Sequence, residues 1–362
     1  MTVDGNGSLS RGVAVVVGRL ADPWVRAVMD NGVQHTGSIP FEARSRDLGV
    51  LIGFDGSEHS VLALHYAARA ARQRGTRLTV VTAFTIGAMA HARLVGVPEF
   101  SEEKLKQEVA ESVLEEARGY LKDYPGEVSY RSAKGDAAGV LAELSGSAQL
   151  AVVGARGRGG FLGRVLGSVA TALPSHAKCP TVIVPRGYRM ENDDAADPFA
   201  PLESSKPVLV GVEGSAYSRV AALQAADVAA ARSVSLHMVM ALPPVEGALV
   251  WYPELASTDA VYIQRRQREL ENALEAEATW LRGHVPDLDI ITSVEIGDPV
   301  SVLTKASTSA QLTVVGTHGR RSVGTLLMGS VSRGVLLSAK GPVMVVPRLK
   351  EERLADQPHF TS

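Results

Sequence analysis

The sequence predicts an α/β protein of two tandem doubly wound domains, each a five-stranded parallel sheet with helices on both faces. Three observations carry this. Strand-like apolar runs alternate with amphipathic helix-like runs, and each crossover must then return to the same end of the sheet, which makes the pairing parallel. The strand runs are nearly continuous in apolar residues, as in a sheet covered on both faces. The whole pattern also occurs twice: "VLIGFDGSEHS" at 50–60 returns as "VLVGVEGSAYS" at 208–218, and "AQLAVVGARGRGG" at 148–160 as "AQLTVVGTHGRRS" at 310–322.

In the first copy, "DLGVLIGFDGS" is a short β-branched run closing in a glycine turn, hence a buried strand. "SVLALHYAARAARQRG" places apolar residues at helical spacing and stops at Gly75. "TRLTVVTAF" is the second strand. "SEEKLKQEVAESVLEEARGYLKDYPG" is a long amphipathic helix opened by Ser101, with Glu102 and Glu103 favouring its first turn. "EVSYRSAKGD" alternates as a third strand, "AAGVLAELSG" is a third helix, and "QLAVVG" and "PTVIVP" are the fourth and fifth strands. A helix over 168–178 lies between the last two. Pro174 within it removes one hydrogen bond and is expected to kink it, leaving the first turn intact.

Asp55 and Glu213 lie 158 positions apart, whereas Gly154 and Gly316 lie 162 apart, so copy two carries extra residues after its first strand. A repeat of about 160 residues is the size of a domain rather than of a solenoid unit. The expected boundaries are an N-terminal extension at 1–46, domain one at 47–186, a linker at 187–205, domain two at 206–348 and a tail at 349–362. The acidic, proline-bearing linker has no apolar period. In the extension, "GVAVVVGRL" reads as a strand and "DPWVRAVMDNG" as a short helix capped by Asp22, while "HTGSIPFEARSRD" reads as loose chain.

The totals exclude several classes. The chain has 362 residues, enough for about two domains at roughly 100–200 residues each. Its net charge is −2 and its aromatic content 5%, with no basic stripe interleaved with aromatics, so nucleic acid is not expected as a partner. No apolar run approaches the ~18 residues of a membrane span, and "MTVDGNGSLS" is not a secretory signal, so a cytoplasmic protein is expected. The single cysteine, Cys179, precedes a buried strand and reads as core. The nine histidines show no metal-ligand spacing. Arg265, Arg266 and Arg268 read as a solvated helix face.

The chemistry concentrates in "GARGRGGFLGRVLGS", residues 154–168, where six glycines and three arginines join the fourth strand to the fourth helix. In a doubly wound sheet this loop overhangs the carboxyl ends of the strands, where ligands bind. Glycines allow close backbone approach and positive φ. Amides at a helix N-terminus bind anions, and Ser168 is placed to cap the helix or touch an oxyanion. The segment therefore reads as a phosphate cradle. It matches neither G-x-x-x-x-G-K-[ST] nor G-x-G-x-x-G. It does match G-x2-G-x9-G-[ST], through Gly154, Gly157, Gly167 and Ser168, and again through Gly316, Gly319, Gly329 and Ser330.

That pattern, twice in register and followed each time by "AKCPTVIVP" or "AKGPVMVVP", resembles the ATP-binding branch of the universal stress protein family over about 47–186 and 206–348. The resemblance implies strand order 3-2-1-4-5 in each domain. It also implies an ATP or related adenine-nucleotide ligand, accompanied by Mg2+, and a regulatory, non-catalytic role in the stress response. The site residues it implies are Phe54 and Asp55 at the end of strand one, Ala83 beside the adenine, Gly154, Arg156 and Gly157 at ribose and phosphate, and Gly167, Ser168 and Val169 at the phosphates. In domain two the matching residues are Val212, Glu213, Ala241, Gly316, His318, Gly319, Gly329, Ser330 and Val331. Glu213 in place of aspartate moves the carboxylate by about 1.5 Å, a shift hydrogen bonds do not absorb unchanged, so weaker or different binding is expected there.

Three other readings stand beside this one. The glycine loop can be a tight crossover only, and Asp55 a helix cap. The protein can be a slow ATP hydrolase of the adenine nucleotide α-hydrolase kind, although "GFDGSEHS" lacks the paired glycines of that loop. It can also be a nucleotide-free pairing module. In all of them the bare end strands "TVIVP" and "VMVVP" favour an intrachain pseudo-dimer, because pairing covers exposed edges. A homodimer and a further protein partner are expected beyond it.

Overall fold

The computed structural model describes residues 38–86, 99–158, 166–188, 197–200, 204–244, 256–319 and 328–357. The strand and helix expected before residue 38 lie outside them. In the first half, β1 (Val50–Gly53), α1 (Glu58–Arg74), β2 (Leu78–Phe84), α2 (Glu99–Tyr120), β3 (Val128–Lys134), α3 (Ala137–Leu144), β4 (Leu150–Gly154), α4 (Ser168–His176) and β5 (Thr181–Val184) alternate as expected. The second half repeats them as β6 (Val208–Gly211), α5 (Ala216–Ala231), β7 (Leu236–Leu242), α6 (Ala256–His284), β8 (Ile290–Ile296), α7 (Pro299–Ala306), β9 (Leu312–Gly316), α8 (Ser330–Ser338) and β10 (Val343–Val346). Helix α2 opens at Glu99 rather than at Ser101. Helix α4 runs through Pro174 over nine residues, the same length as α8, which has no proline.

The strands form one ten-stranded sheet of order β3-β2-β1-β4-β5-β10-β9-β6-β7-β8. Each half therefore has the order 3-2-1-4-5, parallel within itself. The halves join where β5 and β10 pair antiparallel, with Val182 opposite Met344. This is the edge-to-edge pairing that the bare terminal strands called for, and it removes two exposed edges at once. Because the junction is antiparallel, the carboxyl ends of β1–β5 and those of β6–β10 point to opposite rims of the sheet.

Two apolar layers hold the sheet. Alternate residues such as Ile52, Val80, Val152 and Val182 pack on one face, beneath α1 and α2, and Leu51, Val81, Val153 and Ile183 pack on the other. The first layer continues through Met344 and Val346 into the second half, so both domains share it. Cys179 is fully buried and burial pushes its thiol up to about 12, in keeping with a core residue.

The segment 39–46, read from sequence as loose, is fixed. Ile39 bridges to Leu349 in the second half, its amide donating to the Arg348 carbonyl at 2.7 Å. Arg46, buried, donates to the carbonyls of Ser145, Ala148 and Lys178 at 2.8–2.9 Å and to that of Pro40 at 2.9 Å. A guanidinium with several fixed donors can satisfy several loop carbonyls at once.

Candidate functional site

Strand order reverses between β1 and β4, which both neighbour each other and lead to helices on opposite faces. A cavity of about 340 Å³ lies there, within the ~300–1,000 Å³ usual for small-molecule sites. Its apolar lining comes from Gly53, Val81, Ala83, Leu141 and Val153, and its polar lining from Asp55, Ser60, the loop Arg156–Gly157–Arg158 and the first turn of α4. Every residue expected at the first-domain site lines it: Phe54, Asp55, Ala83, Gly154, Arg156, Gly157, Gly167, Ser168 and Val169.

Several expected details differ. Ser168 is the first helical residue, not the cap, which is Gly167 and offers no side chain. Asp55 does not cap α1; Ser57 does, accepting from the Ser60 amide. The main chain of Phe54 is engaged within the protein, its amide donating to the Val81 carbonyl at 2.9 Å and its carbonyl accepting from the Thr82 hydroxyl at 2.8 Å. The motif glycines do not adopt the positive φ expected of them; among the described glycines that conformation occurs instead at Gly49, Gly56, Gly75, Gly135, Gly214 and Gly297. Their missing side chains serve packing. A Cβ on Gly154 would lie 2.6 Å from the His59 carbonyl oxygen, one on Gly157 would collide with the Asp55 carboxylate, and one on Gly167 would sit 3.3 Å from Arg156 Cα.

Asp55 organises the loop. Oδ1 accepts from the Ser57 amide at 3.0 Å and the Ser57 hydroxyl at 2.6 Å, and Oδ2 accepts from the Arg158 amide at 2.9 Å. Burial raises its pKa, but these hydrogen bonds outweigh burial and hold the carboxyl below the ordinary aspartate value. The Arg158 side chain lies over Gly56 and pairs with Glu116 of α2 at 3.0 Å. His59 is held below the ordinary histidine value by burial first and then by Arg156 and Arg186.

The helix ends separate this place from the rest of the molecule. Helices α1, α3, α5 and α7 each begin with a Ser or Asp whose side chain accepts from a first-turn amide. Helices α4 and α8, which follow the two glycine loops, begin with Gly167 and Gly329 and have no side-chain cap. Their first-turn amides therefore lack a capping acceptor.

In the second half, Glu213 accepts from the Ser215 hydroxyl at 2.9 Å, and a Cβ on Gly319 would lie 2.7 Å from its carboxylate. The Val212 amide donates to the Val239 carbonyl at 3.0 Å. Gly316 lies against the Tyr217 carbonyl, and Gly329 against that of Thr317. Ala241 is the next-to-last residue of β7, as Ala83 is of β2, and Ser330 and Val331 open α8. His318 packs on Tyr217, rings 5.4 Å apart, with Arg348 on the same ring. Sequence reasoning missed Ala137, Leu141 and Glu116. The glycine–aspartate turn at Gly135–Asp136 was the available signal, since it starts α3 at the ligand rim.

Comparison with known proteins agrees with this geometry. The sequence model of the universal stress protein family matches residues 49–185 and 204–347. A universal stress protein of Mycolicibacterium smegmatis is 35% identical over 317 residues, covering 83% of this chain and 97% of the relative. One from Mycobacterium tuberculosis strain H37Rv is 33% identical over 302 residues, covering 82% and 96%. Among solved structures, a universal stress protein from Archaeoglobus fulgidus aligns with TM-score 0.58 at 20% identity, over 84% of this chain and 97% of its own, a likeness of fold. Two matched segments in one chain, each carrying the same five-stranded order and glycine loop, show that the protein belongs to the universal stress protein family in its tandem two-domain form.

Proposed function

We propose that the first domain, residues 47–186, binds an adenine nucleotide, ATP foremost, and that the protein acts through this binding rather than through turnover. The observation that carries the reading is the uncapped first turn of α4 opening onto a cavity with an apolar floor. Free amides and the positive end of the helix dipole suit phosphate, and the apolar floor suits a base. The nucleotide fits the residues present: the loop packs on itself through its glycines, leaving Ser168 and Val169 amides toward the tail and Ala83 and Leu141 toward the ring. Among the described residues no three His, Cys, Asp or Glu are grouped to hold a metal, so Mg2+ would come with the phosphates. Asp55 already accepts three hydrogen bonds, which suits a structural anion better than a general base.

The second domain offers the same uncapped helix, with Glu213 in place of Asp55, and we assign it weaker binding. Isothermal titration of the full chain with ATP tests both statements. One tight site and one weaker site are expected, and Ser168→Asp, which sets a carboxylate against the phosphates, should abolish the tight one. A wild-type chain that takes up no ATP, AMP or cyclic AMP would refute the reading. A cytoplasmic place in the stress response is proposed with it; among the described residues no helix is long and apolar enough to cross a membrane.

A further inference from the structure

The chain beyond β10 stays on the second domain and holds the first turn of α5 from both of its own ends. At one end, Arg348 sets its guanidinium over the Tyr217 ring, 5.5 Å from the centroid. At the other, Gln357 Oε1 accepts from Arg219 Nη1 at 2.8 Å. Anchors lie between them. The Lys350 amide donates to the Ile39 carbonyl at 2.6 Å, and Arg353 grips both oxygens of Asp227 at 2.9 Å. Asp356 Oδ1 accepts from Trp280 Nε1 of α6 at 2.9 Å, and His284 Nε2 lies 3.2 Å from the same oxygen.

Both gripped residues lead directly into the second-domain site. The Arg219 amide donates to the Ser215 carbonyl at 3.1 Å, and the Ser215 hydroxyl donates to Glu213 at 2.9 Å. Gly316 lies against the Tyr217 carbonyl, and His318 packs on the Tyr217 ring. The Arg219 guanidinium is fixed on two sides, with Nε 3.6 Å from the buried Glu277 and Nη1 on Gln357. The first domain is built otherwise. Val61 stands at the place of Arg219 and offers no polar hold. The chain after β5 meets α1 farther along, where the Pro198 carbonyl accepts from Arg69 and Asp197 pairs with Arg72. Leu114 and Ala117 of α2 match Ala278 and Leu281 of α6 in burial, which puts Trp280 at the place of Glu116. Glu116 holds the glycine loop through Arg158, whereas Trp280 holds the C-terminal segment.

We propose that Gln357, acting through Arg219, is a positioning residue for the second-domain nucleotide site: the segment 348–357 is a strap that fixes the first turn of α5 and, through Ser215, the Glu213 carboxylate. The inference rests on the nucleotide reading of that site. Groups fixed before binding cost less to order on binding, so the strap raises affinity at the second site. It makes no such contact with α1, so the first site is independent of it. Anything that draws the C-terminal segment off α5 therefore lowers nucleotide affinity at one rim of the sheet and leaves the other unchanged.

ATP titration calorimetry of the full chain carrying Ser168→Asp, which removes the first-domain site, reads the second site alone. Adding Gln357→Leu should weaken that site roughly three- to tenfold, the range that one hydrogen bond supports. Adding Gln357→Glu instead, which keeps the acceptor for Arg219, should restore it. With Ser168 intact, the tight site should be the same in wild type and both Gln357 variants. The proposal is overturned if Gln357→Leu leaves the second site at full affinity, if Gln357→Glu is as weak as Gln357→Leu, or if the tight site weakens in parallel. Amide hydrogen exchange without nucleotide reads the strap by itself: exchange at the Arg219 amide should be faster in Gln357→Leu than in wild type, and unchanged in Gln357→Glu. Exchange that ignores Gln357→Leu overturns the strap. A wild-type chain that takes up no ATP, with Arg219 exchange still responding, overturns the nucleotide reading and leaves the strap standing.

Discussion

Replacing Arg219 and Glu277 of the second domain by valine tests how the two copies reach one fold with different cores. Arg219 Nε lies 3.6 Å from Glu277 Oε1, with side chains 9% and 0% exposed. The first domain has Val61 at the position of Arg219, and the burial register of α2 on α6 puts Val113 where Glu277 stands: Ala110, Val113, Leu114 and Ala117 match Leu274, Glu277, Ala278 and Leu281. At an effective dielectric of ~20, charges 3.6 Å apart attract by about 4–5 kcal/mol. Desolvation of two buried ions costs several kcal/mol each, so the pair as a whole contributes little. Removing one member leaves a charge without its counterion. Glu277→Val should therefore destabilise by about 3–5 kcal/mol.

The double variant removes both charges and restores the apolar arrangement of the first domain. It also loses the 2.8 Å hydrogen bond from Arg219 Nη1 to Gln357 Oε1, worth roughly 1 kcal/mol. It should come out between neutral and about 3 kcal/mol more stable than wild type. Urea unfolding of the full chain, followed by far-UV circular dichroism, reads the midpoints of wild type, Glu277→Val and the double variant. A double variant as unstable as Glu277→Val would refute the reasoning, because it would mean that the pair supplies net stability of its own.

Gly157→Ala should weaken ATP binding roughly 10- to 100-fold by titration calorimetry, since its Cβ displaces Asp55 or the Arg158 amide and a hydrogen bond to a charged group is worth about 1.5–3 kcal/mol; unchanged affinity would count against the loop geometry. Ser233 holds φ +53° at the position where the first domain has Gly75 at +59°, so Ser233→Gly should raise stability by roughly 0.5–1 kcal/mol in urea melts, and Gly75→Ala should lower it. The Asp55 carboxyl is held below its ordinary value, so its contribution to stability is full above the unfolded pKa of about 3.9 and is lost as pH falls through the folded value. The stability gap between wild type and Asp55→Asn should accordingly narrow below about pH 4; a gap independent of pH from 2 to 6 would refute the assignment.

The strands and helices were legible because each obeys one period. "VLIGF" and "LAVVG" could only be buried strands, and the "AARAARQRG" run stops at a glycine that does adopt φ +59°. The loop that lines the cavity was legible from composition alone. What could not be read was anything set by a polar side chain acting at a distance. Arg46 in "FEARSRD" has no neighbours in sequence that announce the Ser145, Ala148 and Lys178 carbonyls it holds. Glu277 sits in a charged helix whose pattern makes it look solvated, and only its match to Val113 reveals that it faces inward. The pairing of Arg158 with Glu116 likewise joins a residue of the glycine loop to one that the charged pattern of α2 places on a solvated face.

The glycine motif itself needs a different interpretation from the one its composition invites. Gly154 and Gly316 admit helix α1 or α5 against the end of a strand, through the carbonyls of His59 and Tyr217. Gly157 and Gly319 admit the carboxylates of Asp55 and Glu213, and Gly167 and Gly329 let the loop close on its own backbone. Gly154, Gly157 and Gly319 are required by contacts within the chain, whether or not a ligand is bound, Gly167 and Gly316 sit at tight contacts of 3.2–3.3 Å, and Gly329 has room for a Cβ. A domain that had lost its nucleotide would keep Gly154, Gly157 or Gly319, because alanine there would collide with its neighbours. The motif thus establishes the shape of the crossover, and the proposed nucleotide binding rests on what that shape leaves open: two helix starts without a capping side chain, and a carboxylate of one length at one rim and another length at the other. The difference in affinity between the domains should follow Asp55 and Glu213 rather than the number of glycines. Exchanging these two residues, by Asp55→Glu with Glu213→Asp in one chain, should move the tighter site from the first domain to the second.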